Sequence, residues 1–137
     1  MLEKILCVDD DPITLMLCRK VIERASLAKE ILVSNNGEEA FQYFKELAEK
    51  HKTNTSFTYP RLVFLDLNMP IMNGWEFLEI YTNNGYPNIF KEAKIIVLSS
   101  TIDPKDVEQT KSYSVVIDFL SKPITKDMLE KLKQTFF

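Results

Sequence analysis

Short runs of consecutive apolar residues recur along the chain, each followed by a stretch in which apolar residues return every three or four positions. The runs are Ile5-Leu6-Cys7-Val8, Ile31-Leu32-Val33, Leu62-Val63-Phe64-Leu65, Ile95-Ile96-Val97-Leu98 and Val115-Val116-Ile117. A run that is apolar at every position suits a strand covered on both faces. Between them, Leu15, Cys18, Val21, Ile22 and Ala25 keep helical spacing, with Asp11 as N-cap and Pro12 at the first helical position, where a missing N–H costs nothing. A second helix carries Ala40, Phe41, Phe44, Leu47 and Ala48, opened by the turn Asn35-Asn36-Gly37, with Glu38 and Glu39 where the helix dipole favours acids. A third begins near Gly74 and bears Trp75, Phe77, Leu78 and Tyr81. A more polar helix runs from Pro104 to about Ser112, and Thr125 caps a last one with Met128, Leu129, Leu132 and Phe136.

Five strands alternating with five helices predict an α/β fold, a doubly wound five-stranded parallel sheet flanked by five helices, in one domain spanning residues 1–137. In such a sheet every strand ends at the same rim, and ligands bind outside those ends at a topological switch point. The residues just after the strands therefore form one candidate group: Asp9, Asp10 and Asp11; Asp66 with Asn68; Ser99, Ser100 and Thr101; Lys122 with Pro123.

Each has a plain structural role open to it. Three aspartates can cap a helix, Asp66 can form a turn before Asn68 and Pro70, and Lys122-Pro123 can be a solvated turn. Acid, acid, hydroxyl and amine at four strand ends nevertheless assemble a single chemistry. Gathered carboxylates repel unless a cation sits among them, and magnesium, which takes oxygen ligands and retains water, suits one or two carboxylates with a carbonyl and a phosphoryl oxygen. Lys122 and Ser99 add a positive charge and a hydroxyl donor for an anion beside the metal.

Composition narrows the alternatives. The 137 residues are 45% hydrophobic and 27% charged, which excludes a disordered or fibrous chain. A net charge of −3 argues against direct nucleic-acid binding. Three glycines at 37, 74 and 85 are too dispersed for a dinucleotide turn or a P-loop. One histidine, His51, and two unpaired-motif cysteines, Cys7 and Cys18, make no zinc site; both cysteines read as small buried residues and His51 as a solvated one. Trp75 is expected to pack at its helix start, and Lys126, Lys131 and Lys133 to form a solvated face. No apolar stretch would span a bilayer and no signal peptide opens the chain, so a cytoplasmic protein without membrane contact is expected.

The chain resembles the receiver domains of bacterial response regulators from Lys4 to its end, a flavodoxin-like fold. The resemblance rests on Ile5-Leu6-Cys7-Val8-Asp9-Asp10, Leu65-Asp66-Leu67-Asn68-Met69-Pro70 with Asn73-Gly74, Val97-Leu98-Ser99 and Phe119-Leu120-Ser121-Lys122-Pro123. It implies that Asp66 is the phosphoryl acceptor and that Asp9, Asp10, Asp66 and the Asn68 carbonyl hold Mg2+ or Mn2+. It further implies that Ser99 follows the phosphoryl group, that Lys122 pairs with it and that the Lys122-Pro123 bond is cis. Phe119, three before Lys122, is either a core aromatic or a switch partner of Ser99 on the face made by the fourth helix, fifth strand and fifth helix. Asn68 and Thr101 flank the route of a hydrolytic water and are expected to set phosphate lifetime.

Two departures from the family pattern stand out. Ser100 follows the hydroxyl residue where Ala or Gly is usual, and the connection from Lys50 to Pro60 is long and polar, which reads as a surface insertion. The function expected is that of a phosphorylation-controlled signalling module. It would be fed by a histidine kinase or a histidine phosphotransfer protein, act on a protein target, and be a monomer or phosphorylation-dependent dimer. A chain ending at Phe137 suggests a stand-alone regulator, with a receiver excised from a longer protein as the alternative. A magnesium-dependent phosphatase of the haloacid dehalogenase type is the competing enzyme reading, weakened because position 68 is Asn and no second carboxylate follows Asp66 in that pattern.

Overall fold

A computed structural model describes residues 1–53 and 57–137. The strands are β1 (Leu2–Val8), β2 (Ala28–Ser34), β3 (Leu62–Asp66), β4 (Lys94–Ser99) and β5 (Val116–Ser121). The helices are α1 (Pro12–Arg24), α2 (Gly37–Thr53), α3 (Gly74–Asn83), α4 (Tyr86–Ile89), α5 (Pro104–Thr110) and α6 (Lys126–Phe136). All strands pair in parallel, in the order β2-β1-β3-β4-β5. Winding reverses at β1, so the switch point lies between the ends of β1 and β3, where the chain places Asp9 and Asp66.

Alternate side chains of the central strands feed two cores. Leu6, Val8, Val63 and Leu65 pack with Phe44, Phe77 and Tyr81 of α2 and α3. Ile5, Cys7, Leu62 and Phe64 pack with Cys18, Ile22, Leu129 and Leu132 of α1 and α6. Both cysteines are buried, as expected. The expected caps also form: Asp11 accepts from the Ile13 N–H at 3.0 Å, and Thr125 Oγ1 from the Met128 N–H at 3.2 Å. Asn73 and Glu76 close a reciprocal capping box at the start of α3.

Five expectations need correction. The described residues hold six helices, because a single turn, Tyr86–Ile89, follows Gly85 at φ 72°. Four residues are too few to display a helical period, but the turn seats Tyr86 and Phe90 against Tyr81, at 5.5 and 6.4 Å between ring centroids. The last strand starts at Val116 and continues through Asp118 and Phe119 to Ser121, since an edge strand tolerates an exposed acid. In the 50–60 connection, α2 persists to Thr53, and Phe57 and Tyr59 pack on Phe90 with centroids 6.2 and 5.2 Å away; residues 54–56 lie outside the described ones. His51 packs against Phe57 with ring centroids 5.4 Å apart and planes tilted by 60°, and its Nδ1 is buried without a hydrogen-bond partner among the described residues. Of the three lysines expected to be solvated, Lys133 instead donates to the Ala25 carbonyl at the end of α1, where a cation offsets the helix dipole.

Two glycines fasten the loop between β3 and α3. A Cβ at Gly74 would stand 2.5 Å from the Asp66 carbonyl oxygen and 2.8 Å from Leu67 Cα. One at Gly37 would stand 2.6 Å from the Met72 carbonyl oxygen. Each glycine donates its N–H into that loop at 2.9 Å, Gly74 to Leu67 and Gly37 to Met72. Replacing Gly74 with Ala should therefore cost about 1–3 kcal/mol through overpacking against rigid backbone. Gly85→Asn should cost much less, because nothing lies within 4 Å of a Cβ there and Asn tolerates positive φ. Urea denaturation of the two variants compares these costs directly.

Candidate functional site

Parallel pairing carries every strand to the rim, and residues at or just beyond the ends of β1, β3, β4 and β5 supply the chemistry. Asp9, just beyond β1, is buried; its N–H donates to the Ser34 carbonyl at 3.1 Å and its Oδ1 accepts from the Asp11 N–H at 2.9 Å. Asp66 closes β3, also buried, with Oδ1 accepting from the Asn68 N–H at 3.4 Å. Asp10 is exposed. Carboxylate oxygens of Asp9, Asp10 and Asp66 lie within 4.8 Å of one another. The aspartate run thus divides: Asp9 and Asp10 join Asp66, while Asp11 turns away to cap α1, receiving the Ile13 N–H and the Thr14 hydroxyl.

Lys122 reaches in from the loop after β5. Its Nζ lies 2.6 Å from Asp9 Oδ2 and 3.4 Å from Asp66 Oδ1. The Lys122 N–H donates to the Ser99 carbonyl at 2.8 Å, and the Lys122-Pro123 peptide is cis. Ser99 is buried at the end of β4, with Oγ accepting from the Thr101 N–H at 3.3 Å. Asn68, Ser100 and Thr101 are exposed at the mouth. Phe119 sits apart from the carboxylates, opposite Val97 in the β4–β5 register and half-buried over a small groove lined by Val107 and Thr110 of α5.

Electrostatics follow from this crowding. Burial, and then the charge of Asp9, raise the Asp66 pKa against the opposing pull of Lys122. For Lys122, burial works to lower the pKa, but the hydrogen bond it donates to Asp9 and the charge of Asp66 win and raise it. The residues fit a hard divalent cation: three oxygen donors converge, one of them a buried carboxylate whose ionisation is disfavoured without added positive charge. Sequence reasoning assigned Lys122 to the phosphoryl group alone. Its second task, holding Asp9 and Asp66 together, depends on a contact across three strands that no local pattern displays. The loop fastening by Gly37 and Gly74 was missed likewise, although the closeness of Gly74 to Asp66 in sequence was visible.

With fold and site in view, the chain matches the response regulator receiver domain family over residues 5–134. It belongs to that family, whose general function is phosphorylation-dependent two-component signalling. Among solved structures it is similar to a two-component response regulator from Cytophaga hutchinsonii, at 27% identity, TM-score 0.84, and coverage of 98% of this chain and 96% of that one. A chemotaxis response regulator of Vibrio cholerae, 23% identical with TM-score 0.71 and full coverage of both chains, shares the fold. Among curated relatives, a probable C4-dicarboxylate response regulator of Priestia megaterium is 27% identical over 95% of this chain and 48% of its own length. A hybrid signal transduction histidine kinase of Dictyostelium discoideum is 28% identical over 93% of this chain. The chain spans about half the length of the first of these and 10% of the second. Among the described residues no helix is long and apolar enough to cross a membrane.

A carboxylate with a raised folded-state pKa destabilises the fold once ionised; the penalty is absent below the ordinary aspartate range and complete above the raised value. Asp66→Asn should accordingly be more thermostable than wild type at neutral pH in chelator, and this advantage should shrink as pH falls through the Asp66 titration. Magnesium should stabilise wild type by about 2.7 kcal/mol at a hundredfold excess over its dissociation constant, and Asp10→Asn should lose most of that gain. A wild-type melting temperature that ignores magnesium would count against the metal site.

Proposed function

We propose that Asp66 accepts a phosphoryl group from a phosphohistidine, in one receiver domain spanning residues 1–137. The observation that carries this reading is the convergence on the buried Asp66 carboxylate of two further carboxylates and the Lys122 ammonium. An Asp66 carboxylate oxygen attacks phosphorus in line, the P–N bond to the donor imidazole breaks, and the ring nitrogen departs with the bonding pair. Lys122 Nζ, 3.4 Å from Asp66 Oδ1, turns part of its charge to the incoming oxygens, and the buried Ser99 hydroxyl donates to one of them. Asp9, Asp10, Asp66 and the Asn68 carbonyl would hold Mg2+ or Mn2+, which supplies charge neutralisation for the phosphoryl oxygens.

The donor is a histidine kinase or a histidine phosphotransfer protein. Support for a protein donor comes from α1, which leaves Ile13, Met16 and Leu17 exposed beside the rim. Relatives named as histidine kinases, one of them a hybrid kinase, agree with this pairing. Output runs through a protein target on the face of α5, β5 and α6: as Ser99 moves toward the phosphoryl group, half-buried Phe119 turns inward. The chain acts as a monomer or phosphorylation-dependent dimer, in the cytoplasm, without membrane or nucleic-acid contact. It catalyses its own phosphorylation and dephosphorylation only.

Acetyl phosphate with magnesium should add one phosphoryl mass to wild type and none to Asp66→Asn, and should shift the ring resonances of Phe119 in wild type alone. Labelling that persists in Asp66→Asn would assign the acceptor elsewhere. Lifetime tests the water route separately. Asn68 and Thr101 are both exposed and small enough to leave phosphorus open, so the phosphoform should decay in seconds to minutes. Thr101→Tyr or Asn68→Arg should slow phosphate release after donor removal; unchanged rates in both would sink this account.

A further inference from the structure

Ile71 lies in the loop after β3 with φ 69° and is 73% exposed. A β-branched side chain is strained in the left-handed region, and here it leaves most of its apolar surface in water. It lines a groove of about 610 Å3 at the free edge of the sheet, together with Val33 of β2, 40% exposed, and Tyr43 of α2. The Tyr43 hydroxyl is buried there without a hydrogen-bond partner among the described residues. Along the rim of this apolar floor stand Glu38, Glu39 and Glu46, none of them in an ion pair among the described residues.

We propose that this groove docks a basic amphipathic helix of another protein, with an apolar side chain seated on Val33, Tyr43 and Ile71 between cations facing Glu38 and Glu46. Charge complementarity selects the occupant: a row of unpaired acids beside exposed apolar surface attracts a segment carrying both opposites. Spacing selects its form. Glu38 and Glu46 stand eight residues apart on α2, about 12 Å along the axis, close to the roughly 11 Å between side chains two turns apart on a helix lying alongside. None of Asp9, Asp10 and Asp66 lines the groove, so docking there does not require that Asp66 be phosphorylated.

The test titrates a synthetic Leu/Lys amphipathic helical peptide into labelled protein and follows backbone amides, with a Leu/Glu peptide of the same pattern as control. The Leu/Lys peptide should shift the amides of Val33, Tyr43 and Ile71, and the control should not. Ile71→Gly, which removes the side chain and relieves the strained backbone, should leave the melting temperature at or above wild type while weakening binding about tenfold, as expected for one lost aliphatic contact. Glu38→Gln with Glu46→Gln should weaken it similarly and flatten its salt dependence. Shifts centred on Asp9, Asp10 and Asp66, equal binding by both variants, or concentration-dependent self-association through this face in place of peptide binding would each overturn the proposal.

Discussion

The contact on which the site depends is the Lys122 ammonium, 2.6 Å from Asp9 and 3.4 Å from Asp66. Burial and the neighbouring charge of Asp9 disfavour the ionised Asp66 carboxylate, and the ammonium opposes both. A lysine delivered from beyond β5 holds them in place across β1, β3 and β4. The same N–H that opens this loop is bonded to the Ser99 carbonyl, so the residue that neutralises the acids is also tied to the strand carrying the hydroxyl. Ammonium and a divalent cation would be complementary: the first offsets part of the repulsion between the acids, and the second would find oxygen donors already gathered.

Placement of the acids is as important as their charge. Asp66 ends a strand buried on both faces, and the loop that follows is clamped by Gly74 at its base and by Gly37 of α2 at Met72. Phosphoryl transfer through a loose transition state demands position more than covalent activation. On the proposal that Asp66 takes the phosphoryl group, rigidity on this side serves the chemistry, and it explains why small residues stand where helices meet the loop.

Much of this was legible beforehand because it is local. Apolar runs marked the strands, Asp11-Pro12 and Thr125 marked helix starts, and acids, hydroxyl and lysine after successive strands marked the rim. What escaped was either too short or too distant. The Tyr86–Ile89 turn has no period to detect, and its role is tertiary, pressing Tyr86 and Phe90 into the aromatic core. Strand β5 was misplaced because Asp118 interrupts its apolar pattern, which an edge strand permits. The seating of Phe57 and Tyr59 on Phe90 depends on residues more than thirty positions apart, so a polar-looking connection concealed two anchors. At the site, residue types announced the chemistry and Asp11 was already marked as the helix cap, whereas the reach of Lys122 from beyond β5 to Asp9 needed coordinates.

The uneven burial of the sheet gives the site a direction in which to act. Strand β3 is buried throughout and β4 nearly so, whereas every residue of β5 is partly or fully exposed, and Thr110 is the only buried residue of α5. A closely packed interior resists small displacements, and segments with few buried contacts open at lower free energy. The β3–α3 loop is clamped by backbone contacts, and α2 and α3 are locked through Phe44, Phe77 and Tyr81. A shift of Ser99 toward a new anion meets least resistance on the remaining side, through Lys122 and the strand that precedes it. Phe119 is on that strand, beside a groove already open between β5 and α5. The fold therefore joins a closely buried half to a loosely buried one, and the ammonium of Lys122 stands at the junction.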